Sequence, residues 1–256
     1  MPTATTALVR RPPRSYRDFY LPHGVSIDMT LADAQHAAYV RALEAAGLAI
    51  QHVDPDEAFA DAVFIEDTAV VWEQRALRTR MAPHREGEQA AVIARLQQDH
   101  EIVTLPPGAT LDGGDVLHTE TITYVGRSSR TNQGGASALR EFLAPARRRV
   151  VEVPVEHCLH LKSAATWLGN DTILAAHDLV DISYFETGHV LFTAEGESKA
   201  ANTIRIGNHL LALDCYVETA RTLWEFAQYR KLTLHALDMS EFEKGDGSLT
   251  CLSIVM

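Results

Sequence analysis

Apolar positions recur along this chain with two periods, a helical one and a strand-like one. Thr30 to Ala46 opens with a Thr-x-x-Asp capping pattern (Thr30, Asp33) and stops at Gly47, which predicts a helix. Val217 to Tyr229 places Val217, Ala220, Leu223, Trp224 and Ala227 at helical spacing, with Glu and Arg between them. Arg85 to Gln98 and Gln133 to Leu143 read as two further amphipathic helices, and a shorter one is predicted from Asp178 to Glu186. Between them lie apolar runs of strand length: 62–65, 69–72, 121–125, 172–176, 209–213 and 252–255. Turn residues such as Gly169-Asn170-Asp171 and Gly207-Asn208 separate several of these runs into pairs. Two strands followed by a helix, repeated, predicts an α/β fold.

A longer period appears when the polar residue ahead of each apolar strand is marked. Glu66, Asp112, His160, Asn202 and Cys251 follow one another at intervals of 46, 48, 42 and 49 residues. Repeats of that length fill the chain five times, and radial repetition closes into a propeller-like ring. In such a ring the five marked side chains would face one central channel. The stretch Arg10 to Met29, with Pro12, Pro13, Pro22 and Gly24, predicts a long loop carrying Phe19, Tyr20 and Leu21, of the kind that serves as a lid or binding loop. No Gly/Ser linker or charge run divides the chain, so one domain over residues 1–256 is expected.

Composition narrows the functional classes. The 256 residues include 46% hydrophobic and 22% charged side chains, the mix of a globular protein. With 34 acidic against 23 basic residues the net charge is −11, which repels phosphates and draws cations. A nucleic-acid surface needs clustered Lys and Arg, and Arg147-Arg148-Arg149 is too short to supply one. The three cysteines are irregularly spaced and read as reduced thiols in a cytoplasm. Neither a signal peptide nor an apolar run of the ~18 residues that span a membrane is apparent.

Several residues could carry chemistry. Cys251 follows a turn-rich approach and leads into an apolar strand. It reads either as a small core residue or as a nucleophile, and the second role needs a nearby His and a device that favours the thiolate. Cys158 and Cys215, with apolar neighbours, read as core thiols. His157-Cys158-Leu159-His160 offers a zinc alternative, though no second cluster of ligand spacing accompanies it. Asp61 and the adjacent Glu66-Asp67 lie among apolar residues, where a partly buried anion requires a cationic partner. Asp112-Gly113-Gly114-Asp115 is either a tight turn or a place where a ligand meets the backbone closely. Arg130, at a strand-to-helix junction in a segment without phosphate-loop spacing, is suited to a carboxylate. A substrate with a guanidinium at one end and an amino-acid head at the other would satisfy all of these groups.

Phe64-Ile65-Glu66-Asp67, Ala109 to Leu117 with its Leu-Asp-Gly-Gly-Asp, Arg130-Thr131-Asn132, Leu159-His160-Leu161-Lys162-Ser163 and Leu249-Thr250-Cys251 occur in this order. Together they resemble the dimethylarginine dimethylaminohydrolases of the guanidine-modifying superfamily. Arg11-Pro12-Pro13 and Ser240 to Gly247 extend the match over nearly the whole chain. The resemblance implies a pentein fold, five ββαβ units around a pseudo-fivefold axis. It implies Cys251 as nucleophile, His160 as general acid/base and Asp112 as the carboxylate orienting His160. Glu66 and Asp67 would hold the guanidinium, Arg85 and Arg130 the substrate carboxylate, and Asp61 its amino group. Gly245 and Asp246 would line the pocket beside the nucleophile, and Gly245, where family members often carry a bulkier aliphatic residue, implies a wider pocket. The reaction implied is hydrolysis of Nω-methylated arginine to citrulline and methylamine or dimethylamine, without metal or organic cofactor. The implied partners are a small cationic substrate and a second copy of the chain in a homodimer. Three readings compete with this one. Related deiminases release ammonia from an unmethylated guanidine and are typically longer chains. A non-catalytic pentein would resemble a ribosome-binding translation factor, and a zinc hydrolase would use the His-Cys-Leu-His segment.

Overall fold

The computed structural model describes residues 4–19 and 21–256, so Tyr20 of the N-terminal loop lies outside the described residues. The chain builds five three-stranded sheets, each with a middle strand antiparallel to one neighbour and parallel to the other. β1 (Thr6–Arg10) and β2 (Ala49–Val53) flank helix α1 (Met29–Ala45). β3 (Ala69–Trp72), β4 (Arg75–Arg78), α2 (Ala90–Leu96) and β5 (Glu101–Thr104) form the next unit. β6 (Val116–His118), β7 (Ile122–Arg127), α3 (Gln133–Leu143) and β8 (Arg149–Pro154) form the third. In the fourth, the four-residue α4 (Leu161–Ala164) leads into β9 (Ala165–Gly169), β10 (Thr172–Ala175) and β11 (His189–Phe192). The fifth is β12 (Ile204–Ile206), β13 (His209–Leu213), α5 (Val217–Arg230) and β14 (Thr233–Leu237). After α6 (Ser240–Glu243), the last strand β15 (Ser253–Val255) pairs with β1 and supplies the strand that the first sheet lacks. A parallel pair needs a crossover of a dozen or more residues; α1, α2, α3 and α5 lie in four of these crossovers, and residues 176–188 make the one between β10 and β11 with only the 3₁₀ turn Ile182–Tyr184.

The marked polar residues sit where the period predicts. Glu66 and Asp67 occupy a 3₁₀ turn (Ile65–Thr68) just ahead of β3, and Asp112 precedes the turn Gly113–Asp115 ahead of β6. His160 is the residue before α4, Asn202 follows the turn Ser198–Ala201, and Cys251 lies in the turn Thr250–Leu252 ahead of β15. These turns pack against one another. Asn202 fastens two of them: its amide donates to the Thr250 hydroxyl at 3.1 Å and accepts from the Thr250 N–H at 2.9 Å.

Several local expectations change. α1 begins one residue earlier than the Thr30 pattern indicates, because Asp28 caps it by accepting from the Thr30 and Leu31 N–H groups. Asp33 instead faces Arg14 at the surface. Residues 62–65 form turns, since Phe64 bonds back to Asp61 and Ile65 to Val63. The helix expected from Arg85 shortens to Ala90–Leu96, and Arg85 ends a 3₁₀ turn. Between Asp178 and Glu186 only Ile182–Tyr184 coils, as a 3₁₀ turn. On α5 the buried face is Thr219, Leu223, Phe226 and Ala227, while Val217 and Trp224 stay exposed, so the buried stripe is rotated from the one that the apolar spacing predicts.

The double glycine admits close packing between units. A Cβ on Gly113 would lie 2.0 Å from the Glu66 carbonyl oxygen, and one on Gly114 would lie 2.6 Å from His160 Nδ1. The first obstacle is backbone and cannot swing aside. Gly113→Ala should therefore lower stability by about 1–3 kcal/mol, and thermal unfolding of the variant would check this; an unchanged melting temperature would show that the two turns can separate without cost.

Candidate active site

At the axis, carboxylates from two units meet one imidazole. His160 Nε2 is 3.0 Å from Asp112 Oδ2 and 3.8 Å from Asp67 Oδ1, and all three side chains are buried. Asp67 accepts from the Gly114 N–H at 3.0 Å, so the double-glycine turn that admits the imidazole also orients the carboxylate. Among the described residues this is the one group of three or more potential metal-ligand side chains whose donor atoms converge. Asp67 is already bonded to a cation, Arg85, through its second oxygen at 2.7 Å. His157 takes no part, and Cys158 donates to the His160 carbonyl at 3.2 Å, so the zinc cluster suggested by His157-Cys158-Leu159-His160 does not assemble.

Burial and charge fix the protonation of the group. Desolvation works against a charged His160, but Asp67, the Asp112 hydrogen bond and Asp115 outweigh it and raise its pKa to about 9. Burial likewise opposes the Asp67 anion, and His160, Arg85 and the Gly114 N–H reverse that, leaving its pKa below the usual value. Glu66 is pushed up to about 7 by burial, against the pull of the Lys162 ammonium that bonds it. Cys251 is half-buried in a turn packed on Ile65–Thr68. Burial and the charges of Glu66 and Asp67 push its thiol up to about 12. The site thus holds a protonated imidazole and a neutral thiol beside acidic groups, a state that a bound cation would alter strongly.

The other expected site residues divide. Arg130 lies in the loop after β7, and its Nη1 is buried without a hydrogen-bond partner. Arg85 is differently placed from the expectation that it binds a substrate carboxylate. It is buried and donates to Glu88 at 2.6 and 2.8 Å, to Asp67 at 2.7 Å and to the Phe64 carbonyl at 2.9 Å. Asp61, with 16% of its side chain exposed, lies 3.4 Å from the same guanidinium. Its remaining surface is what an amino group would have to reach. Asp246 also departs from expectation: its side chain is 69% exposed and sits 3.8 Å from Lys199 rather than in the pocket. Gly245 does not widen the pocket, because the Tyr16 hydroxyl stands 2.8 Å from where its Cβ would be. That hydroxyl donates to the Glu241 carbonyl, and the Tyr16 ring packs against Phe19, Phe64 and Phe242.

Sequence reasoning passed over three partners. Lys162 neutralises Glu66, Glu88 holds Arg85, and Asp115 gathers the turn around His160. Two had visible signals: Lys162 stands two residues after His160, and Glu88 stands three after Arg85, the spacing at which turn or helix neighbours meet.

No protein-family profile matches the chain. Whole-length relatives do. The chain is 39% identical over 256 residues to the N(G),N(G)-dimethylarginine dimethylaminohydrolase of Streptomyces coelicolor, covering 97% of this chain and 95% of that protein. It is 30% identical over 251 residues to the Pseudomonas aeruginosa protein of the same name, covering 96% and 97%. Its structure matches a Cys-to-Ser variant of the Pseudomonas aeruginosa enzyme complexed with citrulline, with a TM-score of 0.91, 28% identity and coverage of 99% and 100%. The N-terminal domain of ArgZ, a cyanobacterial arginine dihydrolase, shares the fold with a TM-score of 0.86 at 18% identity, covering 98% of this chain and 97% of that one. Five three-stranded units closed by the last strand, and relatives matched from end to end, place this chain in the dimethylarginine dimethylaminohydrolase family with its pentein fold.

Proposed function

We propose that this chain hydrolyses Nω-methylated arginine to citrulline and methylamine or dimethylamine, through a covalent intermediate on Cys251. The observation that carries the reading is the meeting at one axis of the His160–Asp112 pair, Asp67 and the turn bearing Cys251. A guanidinium carbon is resonance-stabilised and resists water, so a thiolate is the fitting nucleophile. Without substrate, burial and two carboxylates oppose that thiolate. A substrate guanidinium held by Asp67 and Glu66 supplies the missing positive charge and favours the thiolate.

The steps follow from these charges. Binding of the cationic guanidinium releases the Cys251 thiol proton to solvent, and the thiolate sulfur bonds to the guanidinium carbon, giving a tetrahedral centre. His160, protonated below about pH 9, delivers its proton to the substituted nitrogen, and the C–N bond to the alkylamine breaks. The carbon is left as an S-alkylthiouronium. His160, now neutral, takes a proton from water, the hydroxide attacks that carbon, and the C–S bond breaks as the new hydroxyl loses its proton to solvent, giving citrulline and the Cys251 thiolate. Asp112 holds the imidazole through both halves. Arg130 takes the substrate carboxylate, and Asp61 its amino group.

The three cysteines are free, which supports a reducing, cytoplasmic setting for a single-domain enzyme. No described helix is long and apolar enough to cross a membrane. The exposed Val217 and Trp224, seven residues apart on one face of α5, leave apolar surface that supports a second copy of the chain as macromolecular partner.

Two measurements test the reading. Wild-type protein incubated with monomethyl- and asymmetric dimethylarginine should yield citrulline and the matching alkylamine, with higher kcat/KM than arginine. Cys251→Ser should keep the wild-type melting curve and lose turnover by at least about a hundredfold. Faster turnover of arginine with release of ammonia would assign a deiminase instead.

Alkylation reports on the thiol directly. In ligand-free protein, modification of Cys251 by iodoacetamide, followed by peptide mass mapping, should speed up about tenfold per pH unit between pH 7 and 10. A rate already level at pH 7 would mean that the thiolate is preformed.

The two arginines should behave differently. Arg130→Ala should raise KM for methylarginine, a loss of about 2–5 kcal/mol in binding, with little change in melting temperature. Arg85→Ala strips a buried cation from Asp67 and Glu88 and should cost about 3–5 kcal/mol of stability. Equal melting temperatures for the two variants would remove the structural role given to Arg85.

A further inference from the structure

Asp115 closes the Leu-Asp-Gly-Gly-Asp turn and is completely buried. Among the described residues no Lys, Arg or His side chain lies within ion-pair distance of it. A buried carboxylate without a counter-ion is costly unless hydrogen bonds compensate. Here Oδ1 accepts from the Leu161 N–H at 2.9 Å, and Oδ2 accepts from the Ser128 and Thr131 hydroxyls, each at 2.6 Å.

Each of those donors belongs to a different part of the candidate site. Leu161 is the residue directly after His160. The Thr131 hydroxyl also accepts from the Asp112 N–H at 3.3 Å, which ties the His160 partner to the same carboxylate. The Ser128 hydroxyl accepts from the Arg130 N–H at 3.0 Å, which sets the loop that carries the carboxylate-binding guanidinium. The space is cut to fit, since a Cβ on Gly126 would come within 2.4 Å of Asp115 Oδ1.

We propose that Asp115 is the positioning residue that locks the His160–Asp112 pair and the Arg130 loop into one register, so that the acid/base is aimed at the carbon that Arg130 helps to place. The inference rests on the function proposed above. It adds that acid/base alignment and carboxylate recognition share one buried anchor, and that Asp115 touches neither substrate nor nucleophile. The anchor also acts through its charge. The groups facing His160 are Asp67 with Arg85 behind it, Asp112, and Asp115, and the imidazolium in turn favours the Asp115 anion.

The test compares wild type, Asp115→Asn and Gly126→Ala. Asp115→Asn keeps the shape and removes the charge; the Thr131 hydroxyl, which accepts from the Asp112 N–H, can turn to accept from the new amide, whereas Ser128 Oγ already accepts from the Arg130 and Thr131 N–H groups and loses its own acceptor. We expect kcat for methylarginine to fall roughly 10- to 100-fold with KM within about threefold. The His160 imidazole, followed by NMR in ligand-free protein, should lose its proton at lower pH than in wild type. Gly126→Ala keeps the charge but turns the carboxylate, and should lower kcat while leaving the His160 titration nearer to wild type. Wild-type kcat and an unshifted imidazole in a folded Asp115→Asn protein would overturn the proposal, and so would wild-type kcat in Gly126→Ala should Asp115→Asn fail to fold. A wild-type protein that releases no alkylamine would sink the proposed reaction instead, and the His160 titration would still decide whether Asp115 acts on the imidazole.

Discussion

The constraint on which the structure depends is electrostatic: Glu66, Asp67, Asp112 and Asp115 are buried around one axis, and each must be held there. Isolated carboxylates in an apolar interior would take up protons or expel themselves towards water. The fold answers each differently. Lys162 crosses the axis from the fourth unit to Glu66 in the second, Arg85 with Glu88 reaches Asp67, and His160 bonds Asp112. Asp115 is met by hydroxyls and a backbone N–H alone. The cations are too few to neutralise the set, since Arg85 is shared among Asp67, Glu88 and Asp61. The interior therefore retains an unfilled demand for positive charge, and a guanidinium is a ligand that meets it without a metal.

Five-unit architecture is what makes this concentration of charge feasible. Each unit places a turn at the inner end of its first strand, and five such turns converge. Had these residues come from one helix or one strand, they would lie on separate faces or at separate heights. Convergence requires near-contact between turns, which is why Gly113 and Gly114 stand where a side chain would strike Glu66 or His160. It also requires the ring to close. β15 pairs with β1, so the turn carrying Cys251 is fixed by contact between the two ends of the described chain.

The sequence disclosed the inner turns because their polar residues interrupt apolar runs at regular intervals. Glu66, Asp112, His160, Asn202 and Cys251 could be marked without knowing any contact. It disclosed the pairings of those residues much less well. Arg85 reads as an available cation until Glu88, Asp67 and the Phe64 carbonyl are seen around it, and two of those three partners belong to the preceding turn. Gly245 reads as a missing side chain, yet the volume is taken by Tyr16 from far along the chain. Asp246 reads as an acid beside the nucleophile, although its backbone adopts a left-handed conformation, φ 59°, and its carboxylate faces out. Composition and spacing report what a segment prefers locally; they carry no record of which distant segment has filled the adjoining space.

The same distinction explains why two acids of one short motif differ in what they do. Asp112 and Asp115 are separated by two glycines and are equally acidic as sequence. The 3₁₀ turn at Gly113–Asp115 sends one carboxylate to the imidazole and the other to the backbone behind it. Asp112 thus meets His160 through the ring, where a proton moves in the reaction we propose, and Asp115 meets it through the chain, at the Leu161 N–H. A hydrogen bond to a mobile proton must tolerate a change of charge on its partner, whereas an anchor should not change at all. Asp115 meets that requirement because its donors are two hydroxyls and an amide, none of which titrates near neutral pH. The division of labour between a responsive contact and an unresponsive one is therefore built into four consecutive residues, and the glycines between them are what allow both to face the same histidine.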